Sequence, residues 1–206
     1  HTDKSINTYN SYLETPWGEV NSLDWEEDNK KLMKDLRDIK VDRKCNAFLG
    51  LNSEIKNWSI FLPLVSQLKE DCMMDRHWEK LKKEIEKDFE INSNVKLQSI
   101  FDLDLFKFSE QVEDIVDQAR NEAKMEKTLQ KVKELWDVVP FEKQQHKNSD
   151  IYMLKVSEES FEQLEENLVQ VNNMFSSRYL AYFEETVKYW QKTLNAISDN
   201  TTLLSE

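Results

Sequence analysis

Along most of the chain, apolar residues return every three or four positions, the spacing that gathers them on one face of an α-helix. The pattern begins near Asn29, with Leu32, Leu36 and Ile39 on one side and Lys31, Lys34 and Asp38 off it. A second run carries Leu51, Ile55, Trp58 and Leu62. Pro63 is expected to end or kink that helix and to open the next, reaching about Glu70, because proline lacks an amide hydrogen and suits a first helical turn. Asp75 has the chemistry of an N-cap for a third helix, which turns Trp78, Leu81, Ile85 and Phe89 inward. The longest helix is expected from Ser109 to about Trp136, with Val112, Ile115, Ala119, Met125, Leu129 and Val132 buried. At about 1.5 Å per residue it would span roughly 40 Å. Ser157 caps a further helix, with Phe161, Leu164, Leu168, Val171 and Phe175 as its stripe, and Glu158 and Glu159 suit its positive end. A last helix from about Ser177 carries Tyr182, Val187, Trp190, Leu194 and Ile197.

Three stretches break the period. Residues 1–28 lack it and hold the turn signal Thr15-Pro16-Trp17-Gly18, which reads as an extended lead-in anchored by Trp17 and Trp25. Residues 92–108 are dense in Val95, Leu97, Ile100, Phe101, Leu103, Leu105, Phe106 and Phe108 without a clean helical repeat, and read as a turn-like connection wedged between helices. Trp136 to Phe141, with Val138 and Val139, and Ile151 to Leu154 flank a polar loop, and are expected to pair as an antiparallel hairpin. The fold class is therefore mainly α: an elongated bundle of long helices with one small β-hairpin. Its expected parts are a lead-in over 1–28, a helical subdomain over 29–91, and a second over 92–206 containing the hairpin at about 136–154.

Composition supports this and removes several chemistries. Only two of the 206 residues are glycine and three are proline, too few for the repeated turns of a sheet-rich fold. Gly18 and Gly50 lie too far apart for a phosphate-binding loop or a dinucleotide turn, which need closely spaced glycines so that backbone amides can approach phosphate. No HExxH, paired CxxC or GxSxG occurs either. With 28 Lys and Arg against 40 Asp and Glu, the net charge is −12. Nucleic acid and anionic membrane are excluded as partners on this basis, since binding to either begins with a concentrated cationic face. Two cysteines, Cys45 and Cys72, make no disulfide framework and fit a reducing compartment. No stretch is long and apolar enough to span a bilayer. The chain opens at His1 rather than methionine, which reads as a processed or excised piece.

Two blocks carry a resemblance. The first is Leu62-Pro63-Leu64-Val65-Ser66-Gln67-Leu68 followed by Met74-Asp75-Arg76-His77-Trp78-Glu79-Lys80-Leu81. The second runs from Trp136 through Pro140-Phe141-Glu142, Asp150-Ile151-Tyr152-Met153-Leu154-Lys155, Ser157-Glu158-Glu159 and Ser177-Arg178-Tyr179 to Trp190. In order and spacing, across roughly residues 40–199, these resemble the linker of the dynein heavy chains, its N-terminal half. The second block looks more like axonemal outer-arm chains than cytoplasmic ones. The family motif falls on Leu62, Pro63, Arg76, His77, Trp78, Trp136, Phe141, Leu154, Lys155, Tyr179 and Trp190, mainly in structural roles.

The resemblance implies a force-transmitting segment between tail and ATPase ring, without catalytic residues or a cofactor of its own. ATP and Mg belong to the ring of the parent motor. The implied partners are that ring and other dynein subunits, with the microtubule touched only indirectly. The implied setting is the cytoskeleton, in the axoneme of a cilium or flagellum, after cytoplasmic assembly. Residues 92–108 and 140–150 are the candidate bend or contact points, and a piece of such a linker is expected to expose an apolar face.

Plainer readings stand beside these. Arg76-His77-Trp78 reads first as a helix start, with His77 hydrogen-bonded and Trp78 buried. Cys45, Cys72 and His77 lack the paired spacing of a zinc site. Lys80, Lys82, Lys83 and Lys87 alternate with Glu79, Glu84, Glu86 and Asp88, as on a solvated face. Glu158, Glu159, Glu165 and Glu166 read as an exposed helix face rather than catalytic carboxylates. The competing architecture is a spectrin-like or coiled-coil scaffold, since Trp78 and Trp190 are about one triple-helix repeat apart. The break at 92–108 and the hairpin have no place in such a repeat.

Overall fold

The computed structural model describes residues 2–38, 44–147 and 150–203. Ile39, expected on the first helical face, lies outside them. Helix dominates, as the periodicity predicts. The elements in order are α1 (Thr2–Leu13), α2 (Ser22–Asp38), α3 (Asn46–Leu68), α4 (Asp75–Ile85), α5 (Leu97–Phe101), α6 (Ser109–Trp136), β1 (Glu142–Gln145), β2 (Tyr152–Val156), α7 (Glu158–Met174), α8 (Glu184–Asp199) and β3 (Thr201–Leu203). Single 3-10 turns occupy Trp17–Glu19, Leu105–Lys107 and Leu180–Tyr182. The chain divides into two compact units, His1–Ala119 and Arg120–Glu206.

In the first unit α2 and α3 pack together over a core that includes Ile55, Trp58, Phe61, Leu62, Val65, Leu81 and Ile85. The segment expected to be an extended lead-in is largely helical. Residues 2–13 form α1, and α2 already begins at Ser22. α1 has little helical patterning, so tertiary contact holds it. Tyr9 is 2% exposed and stacks on Trp58 at 4.9 Å, and Tyr12 stacks on Trp25 at 4.1 Å. Each such pair contributes about 0.5–1.5 kcal/mol beyond the buried area.

Pro63 neither ends nor restarts a helix. It lies inside α3, which continues to Leu68. A proline in a helix interior costs roughly 3 kcal/mol. Phe61, Leu62, Leu64 and Val65 around it are each 2% exposed or less. Burying a side chain of that size is worth about 1.5–3 kcal/mol, so four of them outweigh the proline. Residues 92–108 are turn-like, as expected, with a helical turn at α5, and they reach the core through Leu97, Ile100, Leu103 and Leu105.

The second unit has its own core: Met125, Leu129, Val132 and Trp136 of α6, Leu164, Val171 and Met174 of α7, Phe183, and Val187, Trp190 and Leu194 of α8. The expected hairpin exists but is displaced. Trp136 is the last residue of α6, and the first strand is Glu142–Gln145 rather than Trp136–Phe141. It pairs antiparallel with β2, Glu142 opposite Lys155 and Gln145 opposite Tyr152. β3 adds parallel to β2, Leu154 opposite Thr201, and makes a three-stranded sheet in the order β1-β2-β3. The last helix starts at Glu184 rather than Ser177, because Leu180–Tyr182 tighten into a 3-10 turn that buries Phe183. Ser157 caps α7 as predicted, accepting from the Ser160 amide at 3.2 Å.

Candidate functional site

The first motif block folds around the start of α4. The cap residue is Met74 rather than Asp75, which is already in the first turn. His77 replaces the carboxylate cap that the sequence suggests: its Nδ1 accepts from the Met74 amide at 3.0 Å. A nitrogen that accepts carries no proton, so in this arrangement a neutral ring has its proton on Nε2. His77 is 1% exposed, whereas Trp78 is only half-buried. The expected helix start and its hydrogen-bonded His77 are therefore present, while Trp78 is less buried than expected.

Trp78 stands edge-on to Trp17 and to Phe89, both at 6.3 Å, and forms a wall of a cleft of about 360 Å³. The rest of that cleft is Asp75, Glu79, Lys82, Glu90, Ile91 and Asn92. Lys82 is tied to Glu79 at 2.8 Å and approaches Asp88 at 3.6 Å, and the bond to Glu79 raises its pKa. The lining holds carboxylates and an ammonium but no nucleophile paired with a base. Leu62 is fully buried on the inner face of α3, while Pro63 and Arg76 are half-buried.

The second block surrounds the base of the hairpin. Trp136 donates from Nε1 to Asn167 Oδ1 at 3.0 Å and stacks on Phe141 at 6.0 Å. Phe141 is exposed on its other side. Leu154 and Lys155 lie half-buried in β2, and the Leu154 amide donates to the Asn200 carbonyl at 2.6 Å. Arg178 lies over the half-buried Tyr179 ring at 4.6 Å, and Trp190 is 7% exposed in the core of α7 and α8. Thus Trp136, Phe141 and Trp190 belong with the second unit, and Leu62, His77 and Trp78 with the first.

Other side chains carry as much structure and have no signal in the hydrophobic pattern. Asn167 is one. Asn29, 3% exposed, accepts from the Tyr9 hydroxyl and donates to the Ile55 carbonyl at 3.2 Å and to Ser59 Oγ at 2.9 Å. Ser22 and Ser66 meet at 2.7 Å across the same α2–α3 seam. Lys69, at the end of α3, donates to the carbonyls of Trp17 at 3.0 Å and Val20 at 2.7 Å, and burial lowers its pKa. Burial drives the Tyr9 hydroxyl well above the usual phenol range and that of Tyr12 to about 12, the latter aided by Asp28.

Lys80 of α4 and Lys87 just after it find partners beyond the helix: Lys80 reaches Gln118 at 2.7 Å, and Lys87 the Leu103 carbonyl at 2.9 Å. Glu158, Glu159, Glu165 and Glu166 are exposed, Glu166 accepting from Gln163 and Gln170. Cys45 caps α3, accepting from the Phe48 amide at 3.4 Å. Among the described residues no three His, Cys, Asp or Glu side chains gather to hold a metal ion, and no helix is long and apolar enough to cross a membrane.

Comparison with known families assigns this arrangement. The family described as dynein heavy chain, N-terminal region 2, matches residues 1–206. The chain is 36% identical over 200 residues to the dynein alpha chain, flagellar outer arm, of Chlamydomonas reinhardtii, covering 96% of this chain and 4% of that one. It is 36% identical over 193 residues to the dynein beta chain, ciliary, of Tripneustes gratilla, covering 93% and 4%. To dynein axonemal heavy chain 17 of Mus musculus it is 35% identical over 182 residues, covering 88% and 4%. The chain thus spans about 4% of the length of the curated relatives it matches.

Proposed function

The chain belongs to the dynein heavy-chain family, as its N-terminal region 2, and on that footing we propose that it is a force-transmitting segment of the linker in an axonemal outer-arm motor. The parent chain would hydrolyse ATP in a ring outside this segment, with Mg bound there, and work in the axoneme of a cilium or flagellum. The segment's partners would be that ring and other dynein subunits, and the microtubule only through them.

The observation that supports this best is the way each unit is built. Each has a continuous core of long helices sealed by tryptophan: Trp58 is 0% exposed in the first, and Trp136 and Trp190 are each 7% exposed in the second. A lever must deform less than the distance it moves. Helices with close-packed aromatic seams resist bending because any bend opens gaps at packing contacts. The motif residues Leu62, His77, Trp136 and Trp190 serve this stiffness, and the reading gives the segment no catalytic role.

A lever also needs a place to bend or to be pushed. Of the two irregular stretches, 140–150 suits this better. Residues 140–147 and Asp150 are exposed, and Ser149 and Asn148 lie outside the described residues. Residues 92–108 instead commit Leu97, Ile100 and Leu105 to the first core.

The test is to soften the lever without touching the ring. In the heavy chain carrying this segment, Trp136→Ala with Trp190→Ala should leave microtubule-stimulated ATP turnover largely intact while gliding velocity falls severalfold. Unchanged gliding, with the second core demonstrably loosened by proteolysis, would contradict the proposal.

A further inference from the structure

The N-terminal segment is fastened to the first unit at one compact place. Residues 15–18 cross residues 93–97 as an isolated antiparallel bridge, Pro16 opposite Lys96. The Trp17 amide donates to the Val95 carbonyl at 2.7 Å, the Gly18 amide to Ser93 at 3.0 Å, and the Leu97 amide to Thr15 at 2.9 Å. Lys96 pairs with Glu14 beside them. The Lys69 ammonium takes the Trp17 and Val20 carbonyls and lies 5.9 Å from the Trp17 ring. The two strands run close at Gly18, where a Cβ would stand 3.2 Å from both Cβ and O of Ser93, so any side chain there needs Ser93 to give by a few tenths of an ångström. Lys69 is the C-cap of α3, the end of a helix where a cation is favoured, and its ammonium has two carbonyl ligands from the N-terminal segment.

These contacts join three separate parts of the sequence, and they lie between α1 and α2. Without them, a pull on α1 would straighten residues 14–21 and peel α1 from its aromatic seat on Trp58 and Trp25. With them, the pull meets interstrand hydrogen bonds lying across the chain direction, so several must yield together. We propose, resting on the linker reading above, that Lys69 and the 15–18/93–97 crossing form a mechanical clasp through which tension arriving along α1 enters the first unit.

The test uses the heavy chain carrying this segment, with hydrogen exchange, ATP turnover and microtubule gliding as readouts. Lys69→Met, which keeps the stem and removes the charge, should speed exchange at 15–20 and 93–97 by about tenfold or more and leave α3 unchanged. Gliding should slow at least twofold at undiminished ATP turnover, and Lys69→Arg should restore both readouts. A disulfide placed across the crossing by Gly18→Cys with Ser93→Cys, whose Cβ separation of 3.2 Å is slightly below the usual ~3.8 Å, should recover gliding in the Lys69→Met background and lose it on reduction.

Unchanged exchange in Lys69→Met, or an equal rise throughout α3, would show that no separate clasp exists. A loosened crossing with unchanged gliding, or a disulfide that forms without recovery, would overturn the force route alone. Failure of the linker reading itself would appear elsewhere, as full gliding in the Trp136→Ala/Trp190→Ala chain.

Discussion

Trp58 is the residue whose replacement tests the packing account most sharply. Its ring is 0% exposed and lies between Tyr9 and Phe101, each at 4.9 Å and nearly parallel, with Tyr12 and Phe61 edge-on. Its indole Nε1–H, however, is buried and meets no acceptor among the described residues. The two features act in opposite directions. Trp58→Ala forfeits the packing, about 3–5 kcal/mol for an aromatic truncation in a core, and unseats Tyr9 at a further 0.5–1.5 kcal/mol. Trp58→Phe keeps a ring between the same neighbours. It leaves methyl-sized gaps costing about 1 kcal/mol each, but it removes an unsatisfied donor whose burial costs about 1–3 kcal/mol. The expected result is a loss of about 3.5–6.5 kcal/mol for alanine, by these two estimates together, and a change within about 2 kcal/mol of zero for phenylalanine. Urea unfolding followed by circular dichroism measures both, free of the lost tryptophan signal. If phenylalanine costs as much as alanine, the indole contributes something other than ring packing, and the reasoning fails.

Pro63→Ala should raise the melting temperature, since it returns a helical amide within α3; the gain is expected at about 1–3 kcal/mol, and a loss would mean the proline fixes a bend the core requires. Asn167→Leu should cost about 1–3 kcal/mol by stranding the Trp136 Nε1–H. Adding Trp136→Phe should recover part of that in a double-mutant cycle, and strict additivity would deny the bond. Because Tyr12 in the folded chain titrates only near 12 while an unfolded tyrosine ionises near 10, the folded state holds its proton longer. Its contribution to stability is therefore complete below about pH 10 and is lost as pH rises towards 12. Phenolate absorbance and alkaline melts should show this, with Tyr12→Phe flattening the slope, and an unaltered slope in that variant would refute it.

Where the sequence was legible, an apolar stripe could be checked against a buried face. α6 and α7 fall where Val112, Ile115, Leu129, Leu164 and Val171 predict, and all five are buried. The same logic misplaces elements whose stability comes from elsewhere. α1 has Tyr9 and Tyr12 but little else apolar, and it is helical because those rings stack on Trp58 and Trp25. β1 is Glu-Lys-Gln-Gln, exposed throughout, so it has no alternation to read; Val138 and Val139 drew the strand to the wrong side of Phe141 through their β-branching. Pro63 carries a strong local stop signal that burial overrides. Among the site residues, His77 and Trp136 are visible as motif letters, but their partners are not. A Met74 amide and an Asn167 side chain are chosen by tertiary geometry, with no period to announce them.

In the proposed role this segment moves as a lever against an ATPase ring. The most direct measurement places one fluorophore on an exposed site of α7, such as Val169 at 59% exposure, and its partner on the ring of the same heavy chain. Single-molecule energy transfer is then followed as nucleotide is exchanged. Two transfer states whose populations exchange between ATP-bound and nucleotide-free motors are the predicted result. A single transfer value, unmoved by nucleotide while the ring still hydrolyses ATP, would contradict the account.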